Sequence, residues 1–353
     1  MSQASYTVFE LTEGSKIHRI PLQVFPNFWT YAYLVQSRDQ CILIDTGSGT
    51  DISHDDLLRG ILQAGLYPSG LTHILLTHAH IDHYGGLTKL KPLTNAKIGC
   101  HKLDVQTVAH HEARTAQIAH RLASFLADAG LVKEEIESLL NVYLLTKALY
   151  QSVPVDFTYE ILDAQIPGME FIHLPGHCPG HVALKIADAI FCGDMVVEGV
   201  TPHLVPEFIY PNSGLGHYLD SLETFRGWAA GAHLLLNGHD EAITDLPAHI
   251  DATHQNIIRR MNMAGEALRN PLTMAEICKI VYDNPSGYNH LLTIEKTGSY
   301  IEYLYEHAMI EITNPEEVER GLPARYRRLP DESTFIEEFE RKINKDARTR
   351  MNT

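Results

Sequence analysis

Residues 78–83 read His78-Ala79-His80-Ile81-Asp82-His83, so three histidines and one aspartate fall within six consecutive positions. They follow the apolar run Ile74-Leu75-Leu76, which predicts a short buried strand that ends at this point. Imidazole nitrogens and carboxylate oxygens are ligands that zinc, iron and manganese accept in proteins. Four such groups at one strand end therefore predict a metal site and indicate a metal-dependent enzyme.

Three later segments repeat this arrangement of a short apolar run, a glycine turn and a histidine or aspartate. Residues 171–174 lead into Pro175-Gly176-His177, residues 189–192 into Gly193-Asp194, and residues 233–236 into Asn237-Gly238-His239. Short apolar runs that are bounded by turns are typical of strands. We therefore expect several strands to present metal ligands at one edge of a sheet.

The order of these motifs resembles that of the metallo-β-lactamase superfamily over about residues 17–245. Asp45-Thr46-Gly47, which closes the apolar run at 41–44, is similar to an early motif of the same family. The resemblance implies an α/β fold, the metallo-β-lactamase αββα sandwich, in a catalytic domain that covers residues 1–245.

The resemblance also implies a pair of divalent metal ions. The expected ligands are His78, His80 and His177 for the first ion, Asp82, His83 and His239 for the second, and Asp194 as the bridge between them. Catalysis is expected to depend most directly on His78, His80 and Asp82. Asp45 is expected to orient a ligand imidazole through its free N–H. Zinc is the expected metal, with iron or manganese as alternatives, because His and Asp sites accept all three.

Two helical regions accompany the α/β pattern. Residues 55–66 predict an amphipathic helix, and residues 103–155 predict a helical insert between the first two motifs. In the resembling family, insertions at this place often cover the metal cleft and shape the acyl pocket. A plain packing or dimerisation role for the insert stays open, so a homodimer is one assembly that the sequence allows.

Residues 246–353 predict a small C-terminal domain. Helical patterns at 249–268, 274–282 and 291–307, followed by a β-like run at 309–312, resemble a winged helix. The region lacks a dense basic recognition helix, which argues against DNA binding. The tail after Thr313 has little apolar content, so we expect it to wrap the surface or fray.

The composition favours a globular enzyme with a small-molecule substrate. The 353 residues are 44% hydrophobic and carry a net charge of −16, which repels nucleic-acid phosphates. The five cysteines show no disulfide-like spacing, which favours a reducing compartment. The N-terminal residues lack a secretory signal and no apolar run reaches membrane-spanning length. We therefore expect a cytoplasmic protein without membrane or nucleic-acid partners.

These motifs predict a hydrolase in which metal-bound hydroxide attacks a carbonyl. No separate proton donor is evident among the motifs, and a thiolate leaving group needs none, because a thiol has a pKa of about 8.5. We therefore predict a dinuclear metal-dependent hydrolase of a small thioester or ester, similar to thioesterases and glyoxalase II. The candidate pocket residues are Trp29, Tyr84, His203 and Tyr210.

Functions from other classes stay open. One alternative is a mononuclear iron persulfide dioxygenase that uses His78, His177 and Asp194. Another is an endoribonuclease, because related chains with a similar C-terminal domain cut RNA. A binding module whose metals only shape a pocket is the noncatalytic alternative.

Overall fold

The computed structural model describes residues 5–11, 14–37 and 39–329 of the chain. The first sheet contains, in spatial order, β1 (Thr7–Glu10), β2 (Lys16–Phe25), β3 (Phe28–Gln36), β4 (Cys41–Ile44), β5 (His73–Leu75), β6 (Lys97–Cys100) and β7 (Phe157–Thr158). Neighbours from β1 to β4 are antiparallel, whereas those from β4 to β7 are parallel. The predicted strands before Asp45 and His78 therefore lie side by side and end at the same edge.

The second sheet contains the strands that precede the later motifs. They are β8 (Met169–His173), β9 (Val182–Ile186), β10 (Ala189–Phe191) and β11 (Leu234–Leu236), in the spatial order β11-β10-β9-β8. Tyr33, Ile44 and Leu75 of the first sheet pack against Phe191 and Leu236 of the second, and all five are buried. This apolar layer holds the two sheets face to face.

Twelve α-helices occur in the described part of the chain. They are α1 (Asp51–Gln63), α2 (Ile81–Tyr84), α3 (Leu87–Leu90), α4 (Val105–Ala109), α5 (His111–Asp128), α6 (Lys133–Lys147), α7 (Leu162–Gln165), α8 (Leu215–Trp228), α9 (Leu246–Ala267), α10 (Met274–Val281), α11 (Gly287–Glu306) and α12 (Pro315–Val318). None of them combines the length and apolar character that a membrane span requires.

Helices cover the outer faces of both sheets. Leu57 and Ile61 of α1 are fully buried in the cluster that also holds Ile20 of the first sheet. Tyr218 and Phe225 of α8 are fully buried in the cluster on the second sheet. The layer order is therefore helix, sheet, sheet, helix, and the predicted αββα sandwich is confirmed.

Helix α1 begins four residues earlier than the predicted helix at 55–66. The side chain of Thr50 accepts a hydrogen bond from the backbone N–H of Ser53, which caps the helix before its apolar stripe starts. The apolar periodicity therefore located the buried face, whereas the cap determined the boundary.

The C-terminal region contains the three expected helices, α9 to α11, followed by the strand β12 (Ile310–Ile312). The expectation that the chain frays after Thr313 is wrong for residues 314–329. Strand β13 (Tyr326–Arg328) pairs antiparallel with β12, and Tyr326 is buried. Residues 330–353 of the predicted tail lie outside the described residues.

The winged helix and the domain boundary at 245 stay predictions. Helices α9 and α11 share one apolar cluster with α8 of the catalytic region.

Candidate metal centre

The predicted ligands all follow strands at one end of the two sheets. His78 lies just after β5, and the short helix α2 carries Asp82 and His83. Residues 177, 194 and 239 follow β8, β10 and β11. The two sheets therefore deliver their loops to one site, as the sequence predicted.

Three groups of side chains each bring their donor atoms within 4.8 Å of one another. They are His78, His80 and His177; His78, His83 and Asp194; and Asp82, His83 and His239. Each of the seven predicted ligands belongs to at least one group. Because His78 and His83 are each shared by two groups, the three groups form one continuous cluster.

Four imidazoles have their Nδ1 atoms hydrogen-bonded on the side away from this cluster. The Nδ1 partners are Thr77 Oγ1 for His78 at 3.1 Å, Asp45 Oδ2 for His83 at 2.9 Å, the His203 carbonyl for His177 at 2.6 Å, and the Trp29 carbonyl for His239 at 2.9 Å. The carbonyl and carboxylate oxygens only accept, and the Thr77 hydroxyl already donates to Asp45. Each Nδ1 therefore carries a proton, so Nε2, which faces the cluster, is the atom of each ring that can bind a metal ion.

Asp194 lies at the centre of the cluster. Its Oδ1 atom is 3.2 Å from His83 Nε2, and its Oδ2 atom is 3.0 Å from His239 Nε2 and 3.5 Å from His177 Nε2. Burial alone would raise the pKa of the Asp194 carboxyl, but His239 and His83 outweigh it and hold the pKa well below its usual range. Burial lowers the pKa of His239, but Asp194 and Asp82 outweigh it and raise the pKa to about 9.

Asp45 lies behind His83 and holds two parts of the site. Its carboxylate accepts hydrogen bonds from His83 Nδ1 at 2.9 Å, from the Thr77 N–H at 2.8 Å and from the Thr77 hydroxyl at 2.7 Å. The backbone of Asp45 has a φ of 58°, a left-handed conformation that Asp and Asn tolerate better than most residues. The structure therefore places Asp45 where the sequence expected an orienting carboxylate.

Asp104 is a residue of this site that the motifs did not reveal. One of its carboxylate oxygens accepts from the Ala79 N–H at 2.9 Å and the other from the Gly180 N–H at 3.0 Å, so it ties the first ligand loop to the second. Burial raises the pKa of Asp104 to about 6, although these N–H groups and the Cys178 thiol oppose the shift. Its position shortly after β6 is the signal that could have identified it, because β6 is parallel to β5.

His181 contributes to the site without joining a ligand group. Its Nε2 atom accepts a hydrogen bond from the Asp194 N–H at 3.1 Å. It is absent from the candidate metal-binding groups in the described part of the chain. His181 thus packs beside the ligands and holds the backbone of the residue that carries the central carboxylate.

A cavity of about 390 Å³ opens beside His80, Asp82, His177 and Asp194. Its remaining walls come from the β2–β3 turn, helices α4 to α6, the loop at 203–213 and the first half of α11, and they are largely apolar. The helical insert thus lies over the cluster, as the resemblance implied. The contribution of α11, more than 200 residues after His78, was not anticipated.

Three of the four predicted pocket residues line this cavity, namely Tyr84, His203 and Tyr210. Trp29 is not among the described residues that line it, and its role in the pocket stays a prediction. Phe28 occupies the place instead, with its ring centroid 4.9 Å from that of His239. Because successive side chains on a strand point to opposite faces, Phe28 and Trp29 cannot both face the cavity. Trp29 contributes only its carbonyl, which binds His239.

The donor set fits divalent metal ions. His83 Nε2 and Asp194 Oδ1 are buried and have no hydrogen-bond partner among residues 5–11, 14–37 and 39–329. Such atoms are costly to bury unless another group satisfies them. Imidazole nitrogens and a shared carboxylate are suitable ligands for zinc, iron or manganese. The residues present can therefore hold one or two divalent ions.

Known proteins are similar to this chain in sequence and in fold. The chain is 29% identical over 171 residues to the "Probable metallo-hydrolase YqgX" of Bacillus subtilis (strain 168), a match that covers 48% of this chain and 66% of that protein. It is 26% identical over 248 residues to the "Atrochrysone carboxyl ACP thioesterase" of Aspergillus chevalieri, covering 68% of this chain and 60% of that protein. The chain thus spans less than two thirds of either relative.

The crystal structure of a metallo-beta-lactamase family protein from Thermus thermophilus has a similar fold. Its TM-score is 0.71 at 22% sequence identity, and the match covers 89% of this chain and 98% of that chain. The sequence pattern of the metallo-beta-lactamase superfamily matches residues 30–229, which is more than half of the 353 residues. The chain therefore belongs to the metallo-beta-lactamase superfamily.

Proposed function

We propose that this protein is a metal-dependent hydrolase that cleaves a small acyl thioester or ester. The observation that carries the proposal is the single cluster of seven donor side chains beside a largely apolar cavity. When bound there, divalent ions would lower the pKa of water and polarise a carbonyl group. His78, His80 and His177 are the proposed ligands of one ion, Asp82, His83 and His239 those of the other, and Asp194 the bridge.

The protein's own residues prepare the site before any substrate enters. Asp45, Thr77 and the carbonyls of Trp29 and His203 hold four imidazoles in the tautomer that can bind a cation. Asp104 keeps the two main ligand loops at a constant separation. A preorganised donor set of this kind does not need to rearrange during the reaction.

The second donor group favours two ions over one. A mononuclear dioxygenase needs only His78, His177 and Asp194, whereas Asp82 and His239 converge on the same cluster from another side. Asp82 Oδ2 is 3.7 Å from His239 Nε2, close enough for both to bind one cation. This convergence supports the hydrolase over the dioxygenase.

The cavity and one relative favour a thioester or ester. Largely apolar walls suit an acyl group, and the cavity of about 390 Å³ suits a small one. The Tyr84 hydroxyl is poorly suited as a general acid, because it lies 2.7 Å from His111 Nδ1 and burial raises the Tyr84 pKa further above 10. A thiolate leaving group requires no such acid. One similar protein carries the name of a thioesterase.

The test is thiol release from a panel of acyl thioesters by the metal-loaded protein, with an activated ester and a lactone in parallel. We expect release that the chelation of metal abolishes and that Asp82→Ala lowers at least a hundredfold. Asp55→Ala, which removes an exposed carboxylate from α1, serves as the matched control and should retain full activity. If neither thioester, ester nor lactone is cleaved, or if Asp82→Ala is fully active, the proposal is wrong.

A further inference from the structure

Lys147 places a cation in the wall of the cavity. It is the last residue of α6 and is partly buried. Its Nζ atom lies 5.6 Å from the centroid of the Tyr143 ring. Among the described residues, Nζ has no hydrogen-bond partner and no carboxylate within 4.0 Å, and it is not one of the fully buried unpartnered nitrogen atoms. The ammonium group therefore stays accessible from the cavity, where a ligand can reach it.

The backbone of Lys147 is fixed to the metal centre. His111 Nε2 lies 3.0 Å from the Lys147 carbonyl, which can only accept, so the ring nitrogen donates. His111 Nδ1 must then accept, and it lies 2.7 Å from the hydroxyl of Tyr84, the residue next to His83. The end of α6 is thereby held at a constant distance from the first ligand motif.

The other charged side chains of the cavity wall have different surroundings. His203 Nε2 lies 3.0 Å from Glu295 Oε2. Arg114 Nη1 donates to the neutral Gln117 Oε1 at 2.7 Å, and its guanidinium lies 5.0 Å from the Tyr210 ring centroid. Arg114 is thus a second cavity cation without a carboxylate partner among the described residues, but Gln117 holds one end of it, whereas the Lys147 ammonium has no such hydrogen bond.

The charge of Lys147 acts on the reaction site. Burial lowers the pKa of Lys147, while Glu295 and Asp82 act through space in the opposite direction. Lys147 lines the same cavity as His80 and Asp82. An ammonium group in this wall is placed to attract an anion bound beside them.

We propose that Lys147 binds an anionic group of the substrate, located on the acyl part or on the carrier that leaves. The inference rests on the proposed function, because it assigns a specificity residue to the same cavity. It predicts that the protein prefers an acyl substrate with a carboxylate, or a phosphorylated carrier thiol, over neutral substrates of equal length. The net charge of −16 repels an anionic substrate, so a cation in the cavity is needed to offset that repulsion.

The first experiment measures equilibrium binding and needs no turnover. Glutarate carries one carboxylate more than pentanoate, and 4′-phosphopantetheine carries one phosphate more than pantetheine. Calorimetry on the metal-loaded protein should show, for at least one of these pairs, that the member with the additional anionic group binds about tenfold more tightly than its partner. Lys147→Met should remove the preference, and Lys147→Arg should retain most of it.

The second experiment compares hydrolysis of matched thioesters. Glutaryl- and pentanoyl-N-acetylcysteamine test an anion on the acyl part, and pentanoyl-4′-phosphopantetheine against pentanoyl-pantetheine tests an anion on the carrier. Lys147→Met should lower kcat/KM about tenfold for the preferred anionic substrate and by less than twofold for its neutral partner. Lys133→Met, on the exposed side of the same helix, is the matched control and should change neither value.

The outcomes separate the two proposals. If the protein cleaves no ester or thioester but prefers an anionic probe in a Lys147-dependent way, the hydrolase is wrong and the anion site stands. If neither probe with the additional anionic group binds better than its partner, or if Lys147→Met keeps the preference while its melting temperature is unchanged, the anion site is wrong. An equal loss for neutral and anionic substrates would also overturn it, because that result indicates a structural role.

Discussion

Replacing Asp45 by asparagine should weaken metal binding without unfolding the site. The carboxylate accepts three hydrogen bonds, two from Thr77 and one from His83 Nδ1. An asparagine can keep the bond from the Thr77 N–H, but its amide N–H₂ then faces the other two donors. His83 can relieve that clash by moving its proton from Nδ1 to Nε2. In that tautomer, Nε2 has no lone pair for a metal.

The structure also gives the size of the effect. The variant loses one hydrogen bond between an imidazole N–H and a charged carboxylate, which is worth about 1.5–3 kcal/mol. Such a loss corresponds to a decrease of about 10- to 100-fold in metal affinity, the range usual for partners that orient a ligand. The backbone tolerates the change because asparagine accepts a φ of 58° as aspartate does.

The assay is competition for metal with a chromophoric chelator, accompanied by thermal unfolding of the metal-free protein. Asp45→Asn should lose affinity for the ion that His83 binds. Asp56→Asn is the matched control. The Asp56 carboxylate also accepts a hydrogen bond from a backbone N–H, that of Gln23 at 3.0 Å, but Asp56 lies on α1 and belongs to none of the ligand groups. Wild-type affinity for both ions in a folded Asp45→Asn protein would refute the tautomer argument.

Two further predictions concern other parts of the structure. In Gly238→Ala the new Cβ would lie 2.3 Å from Asp194 Oδ1, so we expect at least a tenfold loss of metal affinity. Gly227→Ala is the control, because open space surrounds Gly227, and it should bind metal as the wild type does. Equal metal affinities of the two variants would contradict this prediction. Burial and the stacked His173 ring lower the pKa of His101 to about 4 from 6.5, so the unfolded chain binds its proton first as the pH falls. The stability due to neutral His101 is complete above pH 6.5 and is lost toward pH 4, by about 3 kcal/mol at most. Denaturant unfolding from pH 6.5 to pH 4 should show a smaller loss of unfolding free energy for His101→Phe than for the wild type. If the unfolding free energies of both proteins change equally with pH, the assigned pKa of His101 is wrong.

The fold was predictable because its strands are short, apolar and separated by turns. The run at 41–44 coincides with β4, and residues 189–192 predict β10 to within one residue. Helix starts were less accurate, as α1 shows, because a cap such as Thr50 acts over one turn and leaves no periodic signal. The pairing of β13 with β12 was missed because β13 has only three residues and two of them are arginines.

The ligand cluster was predictable for a different reason. Each ligand directly follows a strand, and strand ends meet at one edge of a sheet, so local sequence was sufficient to group them. Asp104 and Lys147 have no such motif around them. Their roles arise from contacts with loops that are distant in the sequence, and no local periodicity records such contacts.

The sequence by itself determined the short strands and the ligand motifs at their ends, because strand periodicity and ligand spacing are both local properties of the chain. The sandwich fold and the set of seven donor side chains followed from the resemblance of the motif order to the superfamily. Only the tertiary structure decided which atoms of those donors face the centre, since Asp45, Thr77 and two carbonyls select the tautomers. It also decided the shape and charge of the cavity, because α6 and α11 meet over the cluster from distant parts of the chain. Side-chain packing between such distant segments depends on the whole fold, and that is why Lys147 became visible as a binding residue only there.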